Sequence, residues 1–336
     1  MKLKNIYLLI SLSVIMSACS KSDDDTSNNN PPAGALPSAE FALSNLPEEQ
    51  YAADAVRIVA ESDDMDIPFQ SIELLPDGTY LLIRYNMYNY YSAPVQVATK
   101  ADGNFVIHKN HKTEIRLTRS ETDENTTYFN GGEYGHFEKI GEKKYMLSSG
   151  IELDLSELNS LHRISYASNG RISHVYVKES ESNTTDATKS LCRTWDYNSL
   201  ELWAYWNNYY VAHCKQTVES NGKVNNYFKI LGGDLFEEDE FLDDESEMCY
   251  KIIFSKKGTY ICFYLDGNIG IAQWNWREES QGTLYYVWNQ NYYAADGYVS
   301  VRFAGNQMRI YEDYTDREDG NESMRFVVVN TLTSAH

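Results

Sequence analysis

Apolar and polar residues alternate with a period of two over much of the chain. In the stretch Thr259-Tyr-Ile-Cys-Phe-Tyr-Leu265, Ile261, Phe263 and Leu265 fall on one face. Val299, Val301 and Phe303 alternate with Ser300 and Arg302, Met308 and Ile310 flank Arg309, and Met324, Phe326 and Val328 share a face. The N-terminal half repeats the pattern at Ile72 and Leu74, Phe105 and Ile107, and Ile115 and Leu117. Successive strand side chains point to opposite faces, so these runs predict half-buried β-strands. Turn signals punctuate them at Pro76-Asp77-Gly78, Ala101-Asp102-Gly103, Lys256-Lys257-Gly258, Ala304-Gly305-Asn306 and Glu318-Asp319-Gly320, as in antiparallel sheets. Helical patterning is confined to two short candidates, Pro47 to about Ala60 and Ser156 to His162. The expected class is all-β.

One hairpin pattern occurs twice. Ile72-Glu-Leu-Leu-Pro-Asp-Gly-Thr-Tyr-Leu-Leu-Ile-Arg-Tyr85 aligns with Ile252-Ile-Phe-Ser-Lys-Lys-Gly-Thr-Tyr-Ile-Cys-Phe-Tyr-Leu265, with Gly-Thr-Tyr in register. Glycine supplies the positive φ that a tight hairpin needs. A diverged duplication leaves this trace, and so do two unrelated hairpins.

Composition divides the chain. Its 336 residues suggest two domains. All seven prolines lie at or before Pro94, and all six tryptophans at or after Trp195. The polar stretch 178–186 falls between these regions, giving expected domains at 40–177 and 187–336. The 29 basic and 49 acidic residues give a net charge of −20. Such acidity opposes binding to nucleic-acid phosphates or anionic lipid headgroups.

The N-terminus reads as an export address. Residues 1–18 carry Lys2 and Lys4, an apolar run to Met16, and the small pair Ser17-Ala18 before Cys19. This is the layout of a secretory signal peptide, too short and wrongly flanked for a membrane span. Met16-Ser-Ala-Cys19 resembles a bacterial lipobox, with Met16 where leucine is usual. The resemblance implies that Cys19 is the lipid-attachment residue, and several acyl chains anchor a protein durably. Ser20-Lys-Ser-Asp-Asp-Asp25 is similar to the acidic signal that sends lipoproteins to the outer face of the outer membrane. Residues 19–39 then form the lipidated, acidic and Pro-rich tether. The expected location is the outer membrane, lipid-anchored and surface-exposed.

Leu191-Cys-Arg-Thr-Trp195, Lys257-Gly-Thr-Tyr260 and Gly270-Ile-Ala-Gln-Trp-Asn-Trp276 together resemble bacterial lipocalin-like (calycin-type) surface lipoproteins, over residues 190–333. The first domain, with Gly78-Thr-Tyr80 and Gly132-Glu-Tyr-Gly-His-Phe137, is similar but more diverged. The acidic insert 236–247 departs from the pattern. The resemblance implies two antiparallel lipocalin-like barrels, each with room for one small ligand unless its own side chains fill it.

Trp274 and Trp276 are two apart on one strand, with Trp288 nearby in sequence. They are the candidate ligand-facing aromatics, weighed against the more ordinary role of core packing. Trp203, Trp206, Tyr209 and Tyr210 form a second aromatic group, either a glycan platform or packing. The acidic run 236–247 lacks a calcium-loop pattern and reads as a solvated loop. His108 and His111 lack further zinc ligands at suitable spacing. Cys192, Cys214, Cys249 and Cys262 permit disulfides in an exported chain, or else serve as small buried apolar residues. Nothing matches a Gly-x-Ser-x-Gly elbow, a His-Glu-x-x-His helix or a phosphate-binding glycine loop. The expected function is therefore non-enzymatic, without cofactor or metal. The protein would bind a small apolar molecule, a glycan or another surface protein. The alternative is an accessory subunit of a surface complex without a ligand pocket; a glycoside hydrolase ranks below both.

Overall fold

A computed structural model describes residues 35–37, 40–61, 68–84, 97–99, 105–107, 115–117, 119–122, 125–129, 131–231, 245, 248–287, 299–317 and 323–335. Residues 1–18, Cys19, most of residues 20–39, His108, His111, Trp288 and the acidic run apart from Glu245 lie outside the described residues. So do the turns at 101–103 and 318–320.

The chain is nearly all β, in two barrel sheets. The first uses β1 (Val56–Ala60), β2 (Ser71–Leu74) and β3 (Thr79–Ile83). An insertion follows, containing β4 (Val97–Thr99), β5 (Phe105–Ile107), β6 (Ile115–Leu117), β7 (Arg119–Thr122) and β8 (Thr126–Phe129). The wall resumes with β9 (Gly132–Gly141), β10 (Lys144–Leu147), β11 (Glu152–Asp154), β12 (Arg163–Ser168) and β13 (Arg171–Glu179). Each strand pairs antiparallel with the next, and β13 returns to β1 with Ile58 opposite Glu179. Omitting β4 to β8 leaves eight strands in an up-and-down circuit. Closure removes the free edges of the sheet.

The second barrel repeats the circuit. Its first strand is β14 (Thr194–Trp206), which carries the outlying hairpin β15 (Tyr209–Val218) and β16 (Val224–Ile230). The wall continues through β17 (Cys249–Phe254), β18 (Thr259–Tyr264), β19 (Ile269–Glu278), β20 (Thr283–Val287), β21 (Val299–Ala304), β22 (Gln307–Arg317) and β23 (Ser323–Ser334). β14 closes it, pairing with β17 through Thr194–Asp196 and with β23 along nearly its whole length. From the insertion, β6 pairs with the Ile269–Ile271 half of β19, while β20 pairs with the other half. In the first barrel β8 and β10 divide β9 in the same way.

Both interiors are packed with apolar side chains. Ile58, Leu74, Tyr80, Leu82, Leu153 and Ile164 belong to the first core, and Trp195, Leu202, Phe254, Tyr260, Val301 and Phe326 to the second. A third cluster lies between the barrels. There Leu75, Leu81, Ile83 and Phe129 meet Ile253, Ile261, Phe263, Ile269 and Ile271. This changes one expectation: β3 and β18 are buried on both faces, not one. Tyr80 and Tyr260 point into their own barrels, while Leu81 and Ile261 point into the joint.

The helical candidates fare differently. Leu158–Leu161 is a helical turn, α1. The stretch from Pro47 to Ala60 is instead a 3-10 turn at Ala52–Asp54 followed by strand β1. Val56, Ile58 and Val59 are β-branched, and the strand environment suits them better than a helix. A second short helix, α2 (Asp186–Leu191), precedes β14 and is capped by the Thr185 hydroxyl accepting from the Thr188 N–H at 3.2 Å. Among the described residues no helix is long and apolar enough to cross a membrane.

Candidate functional site

Three tryptophans, Trp195, Trp274 and Trp276, gather at one end of the second barrel. Trp274 is only 5% exposed, and its indole N–H donates to the Ser255 carbonyl at 3.0 Å. Trp276 stands perpendicular to it with ring centroids 5.6 Å apart and donates to the Thr188 hydroxyl of α2 at 2.8 Å. Trp195 donates to the Leu191 carbonyl, also in α2, at 3.0 Å. The N-terminal segment adds Phe41, whose ring lies 6.2 Å from Trp276 and 6.0 Å from Phe303. Leu46 packs on the same core, and Arg193 donates to the Pro47 carbonyl at 2.9 Å. Helix, strap and indoles together plug this end, and each indole named here spends its one donor on a protein acceptor.

The second aromatic group lies across the β14–β15 pair. Trp203 stacks on His213 with centroids 5.1 Å apart and rings 7° from parallel. His213 also meets Glu201 at 2.9 Å. Trp203 is buried, whereas Tyr209 is exposed. The four cysteines 192, 214, 249 and 262 are buried thiols, not disulfides. Burial pushes the Cys192 thiol well above its ordinary value, because the thiolate would be desolvated.

Sequence patterning missed a charged cluster in the first barrel. Strand β9 places Glu133 opposite Leu82, pointing inward, and Glu133 is 0% exposed. One carboxylate oxygen accepts from the Tyr80 hydroxyl at 2.9 Å and the Ser149 hydroxyl at 2.6 Å. The other pairs with Arg84, the residue that follows β3. Burial lowers the pKa of Arg84, but the Glu133 charge and hydrogen bond, with a smaller part from Tyr166, raise it overall. Burial and the Glu133 charge push the Tyr80 hydroxyl far above its ordinary value, so it stays a donor. Burial likewise raises Tyr166, against the pull of Arg84.

The cluster sits at the end of the barrel opposite its plug. Leu155 and Leu158, beside and within α1, belong to the core at the plugged end, where Tyr51 packs on Phe137 with ring centroids 5.3 Å apart. Arg84 and Glu133 lie where β3 ends and β9 begins, near the turn carrying Ser149. The Arg84 side chain is 41% exposed and stands outside the fully covered carboxylate. A partly exposed Arg at a barrel end, held by a buried anion and bordered by hydroxyls, can pair with a further polar group. Among the described residues no three His, Cys, Asp or Glu side chains gather to hold a metal ion.

The fold defines a class, a tandem of closed antiparallel barrels, the first of which carries a charged pair at one end. No known family matches the chain, and no curated protein does. Two solved structures align weakly. One is the isotype 1 transferrin-binding protein B of serogroup B Neisseria meningitidis, at 10% identity and TM-score 0.17, over 84% of this chain and 43% of that one. This chain thus spans less than half the length of that protein. The other, from Nostoc punctiforme, has unknown function and belongs to the DUF3598 family; it aligns at 9% identity and TM-score 0.14, over 83% and 93% of the two chains. Scores this low say nothing about shared function.

Proposed function

We propose that this protein is a lipocalin-like surface lipoprotein, anchored in the outer membrane through Cys19, which binds a ligand at the mouth of its first barrel and catalyses nothing. The observation that carries this reading is the polarity of that barrel. At the end away from Tyr51 and Leu158, the partly exposed Arg84 lies over the fully buried Glu133. The non-enzymatic part is supported by the state of the buried carboxylates. Glu133 is held by Arg84 and two hydroxyls, and Glu73 is bonded by Ser255, so each is occupied rather than poised. Trp274 and Trp276 serve the plug of the second barrel in this reading, not a ligand.

A thermal-shift screen of the purified protein against sugars, lipids and calcium tests the proposal. A bound ligand raises the melting temperature by mass action, by about 2.7 kcal/mol of added stability at a hundredfold excess over Kd. The same ligand should give no shift once Arg84 and Glu133 are both neutralised. The packed interiors favour the second reading, an accessory subunit of a surface complex. No shift with any compound would select it.

A further inference from the structure

We propose that the mouth of the first barrel takes its ligand by a carboxylate, docked on the outer edge of the Arg84 guanidinium. This rests on the binding reading above and names the chemistry of that ligand.

The second barrel serves as an internal control. In the first barrel Leu82 pairs with Glu133; in the second, Cys262 pairs with Gly270 at the matching place. At the same 180-residue offset, Arg84 corresponds to Tyr264. Tyr80 has its counterpart in Tyr260, and both are fully buried. The barrel circuit therefore closes with or without the charged pair. A carboxylate at zero exposure costs several kcal/mol to desolvate, and an apolar replacement of such pairs is often neutral or stabilising. Fold architecture does not explain why the first barrel carries this pair.

The geometry explains what the pair can do. Glu133 lies behind Arg84, so an incoming ligand meets the guanidinium first. A guanidinium has five N–H donors in a fixed fork. Among the described residues this one pairs with Glu133, and its side chain remains 41% exposed. The buried carboxylate fixes the head group before the ligand arrives, which lowers the ordering cost of binding. A planar fork of this kind matches a carboxylate with two parallel hydrogen bonds. A cationic ligand would instead have to displace Arg84 to reach Glu133.

A carboxylate can come from a fatty acid or from an acidic sugar. Isothermal titration of the purified protein with octanoate and octanol, and with glucuronate and glucose, separates the two sources. The acid should bind at least tenfold more tightly than its neutral counterpart in one pair, and that pair identifies the source. The double variant Arg84→Gln/Glu133→Gln should lose the acid preference while keeping a cooperative melting transition. The double substitution is used because Arg84→Gln alone strands a buried charge. Equal binding of acid and neutral partner overturns the carboxylate and leaves the binding reading standing. An acid preference that survives in the double variant overturns the role of Arg84. Absence of binding by all four compounds overturns the proposal too, and the broader screen then decides the binding reading separately.

Discussion

Gly78 and Gly258 occupy the same position in the two barrels. Their φ angles are +84° and +80°. The Gly78 carbonyl accepts from the Phe137 N–H at 2.9 Å, and the Gly258 carbonyl accepts from the Trp274 N–H at 2.8 Å. Each glycine closes the hairpin that leads into Thr-Tyr, and each ties that hairpin to the strand two places on. The halves of the joint between the barrels come from these same hairpins. Leu81 and Ile261 are equivalent residues, as are Ile83 and Phe263, and all four lie in one buried cluster. A contact that uses the same surface from both partners is the signature of two-fold assembly. Duplication of one barrel accounts for both the shared hairpin and the self-complementary joint.

Alanine at either glycine should destabilise the protein, and unequally. A left-handed φ alone costs an L-residue about 1–2 kcal/mol. A Cβ at Gly78 would meet the Tyr51 ring at 2.7 Å, whereas at Gly258 it would meet the Trp274 carbonyl at 3.2 Å. Gly258→Ala should therefore lose about 1–2 kcal/mol, and Gly78→Ala more, as Tyr51 is pushed off the plug. Urea titrations of both variants check the order; equal and negligible losses would remove the shared-turn argument.

Trp274→Ala should lose about 3–5 kcal/mol, the usual cost of removing a buried aromatic side chain. The indole is 5% exposed and bonded to the Ser255 carbonyl. Ligand binding at the first barrel should be unchanged, because Trp274 lies at the plugged end of the second. Denaturation and titration on the same variant separate the two roles. A stability change near zero combined with lost binding would make the tryptophan a ligand wall.

The joint between the barrels should carry a pH signature. Glu73 is 2% exposed and pairs across strands with Arg57. The Ser255 hydroxyl of the second barrel donates to it. Close by, Lys257 bonds Glu179 at 2.8 Å and the Ser180 carbonyl at 2.9 Å. Burial holds the Glu73 carboxyl above the ordinary carboxylate range, despite Arg57 and its hydrogen bonds pulling the other way. In the window between its unfolded and folded values, the folded chain keeps a proton that the unfolded chain has lost. Its contribution is thus complete below the unfolded value and fades as pH rises through the folded one. Glu73→Gln should flatten that part of the stability–pH curve, measured by urea unfolding from pH 4 upward. An unchanged slope would mean that Glu73 titrates normally.

Much of this architecture was legible in the chain. Met308 and Ile310, and Met324, Phe326 and Val328, fall on the inner face as their alternation implies. The Gly-Thr-Tyr repeat marked corresponding hairpins. Alternation could not reveal the second buried face of β3 and β18, because an outward apolar residue reads the same against solvent as against another barrel. Between Pro47 and Ala60 the apolar run is too short for its period to separate helix from strand, and β1 fills its second half. Arg84 and Glu133 gave no signal at all. They are 49 residues apart, and only the return of the chain after the β4–β8 insertion brings them together.

Cys19→Ala should release the protein from the membrane fraction while leaving the barrels folded. The first described segment, at Ala35, is already packed on the outer face of the second barrel, against the cluster holding Trp203, Tyr205 and Val327. From there the chain passes Phe41 and Leu46 at the plugged end and reaches Thr194, whose N–H donates to Glu49 at 3.3 Å. The strap thus forms part of the folded body, and Cys19, the proposed anchor, lies 16 positions upstream of Ala35. A loss at position 19 removes attachment without touching the core. Fractionation of cells carrying the variant, followed by thermal melting of the soluble protein, checks both halves. Retention in the membrane fraction would mean that something other than Cys19 holds the chain there, and a lowered melting temperature would mean that the anchor also supports the fold.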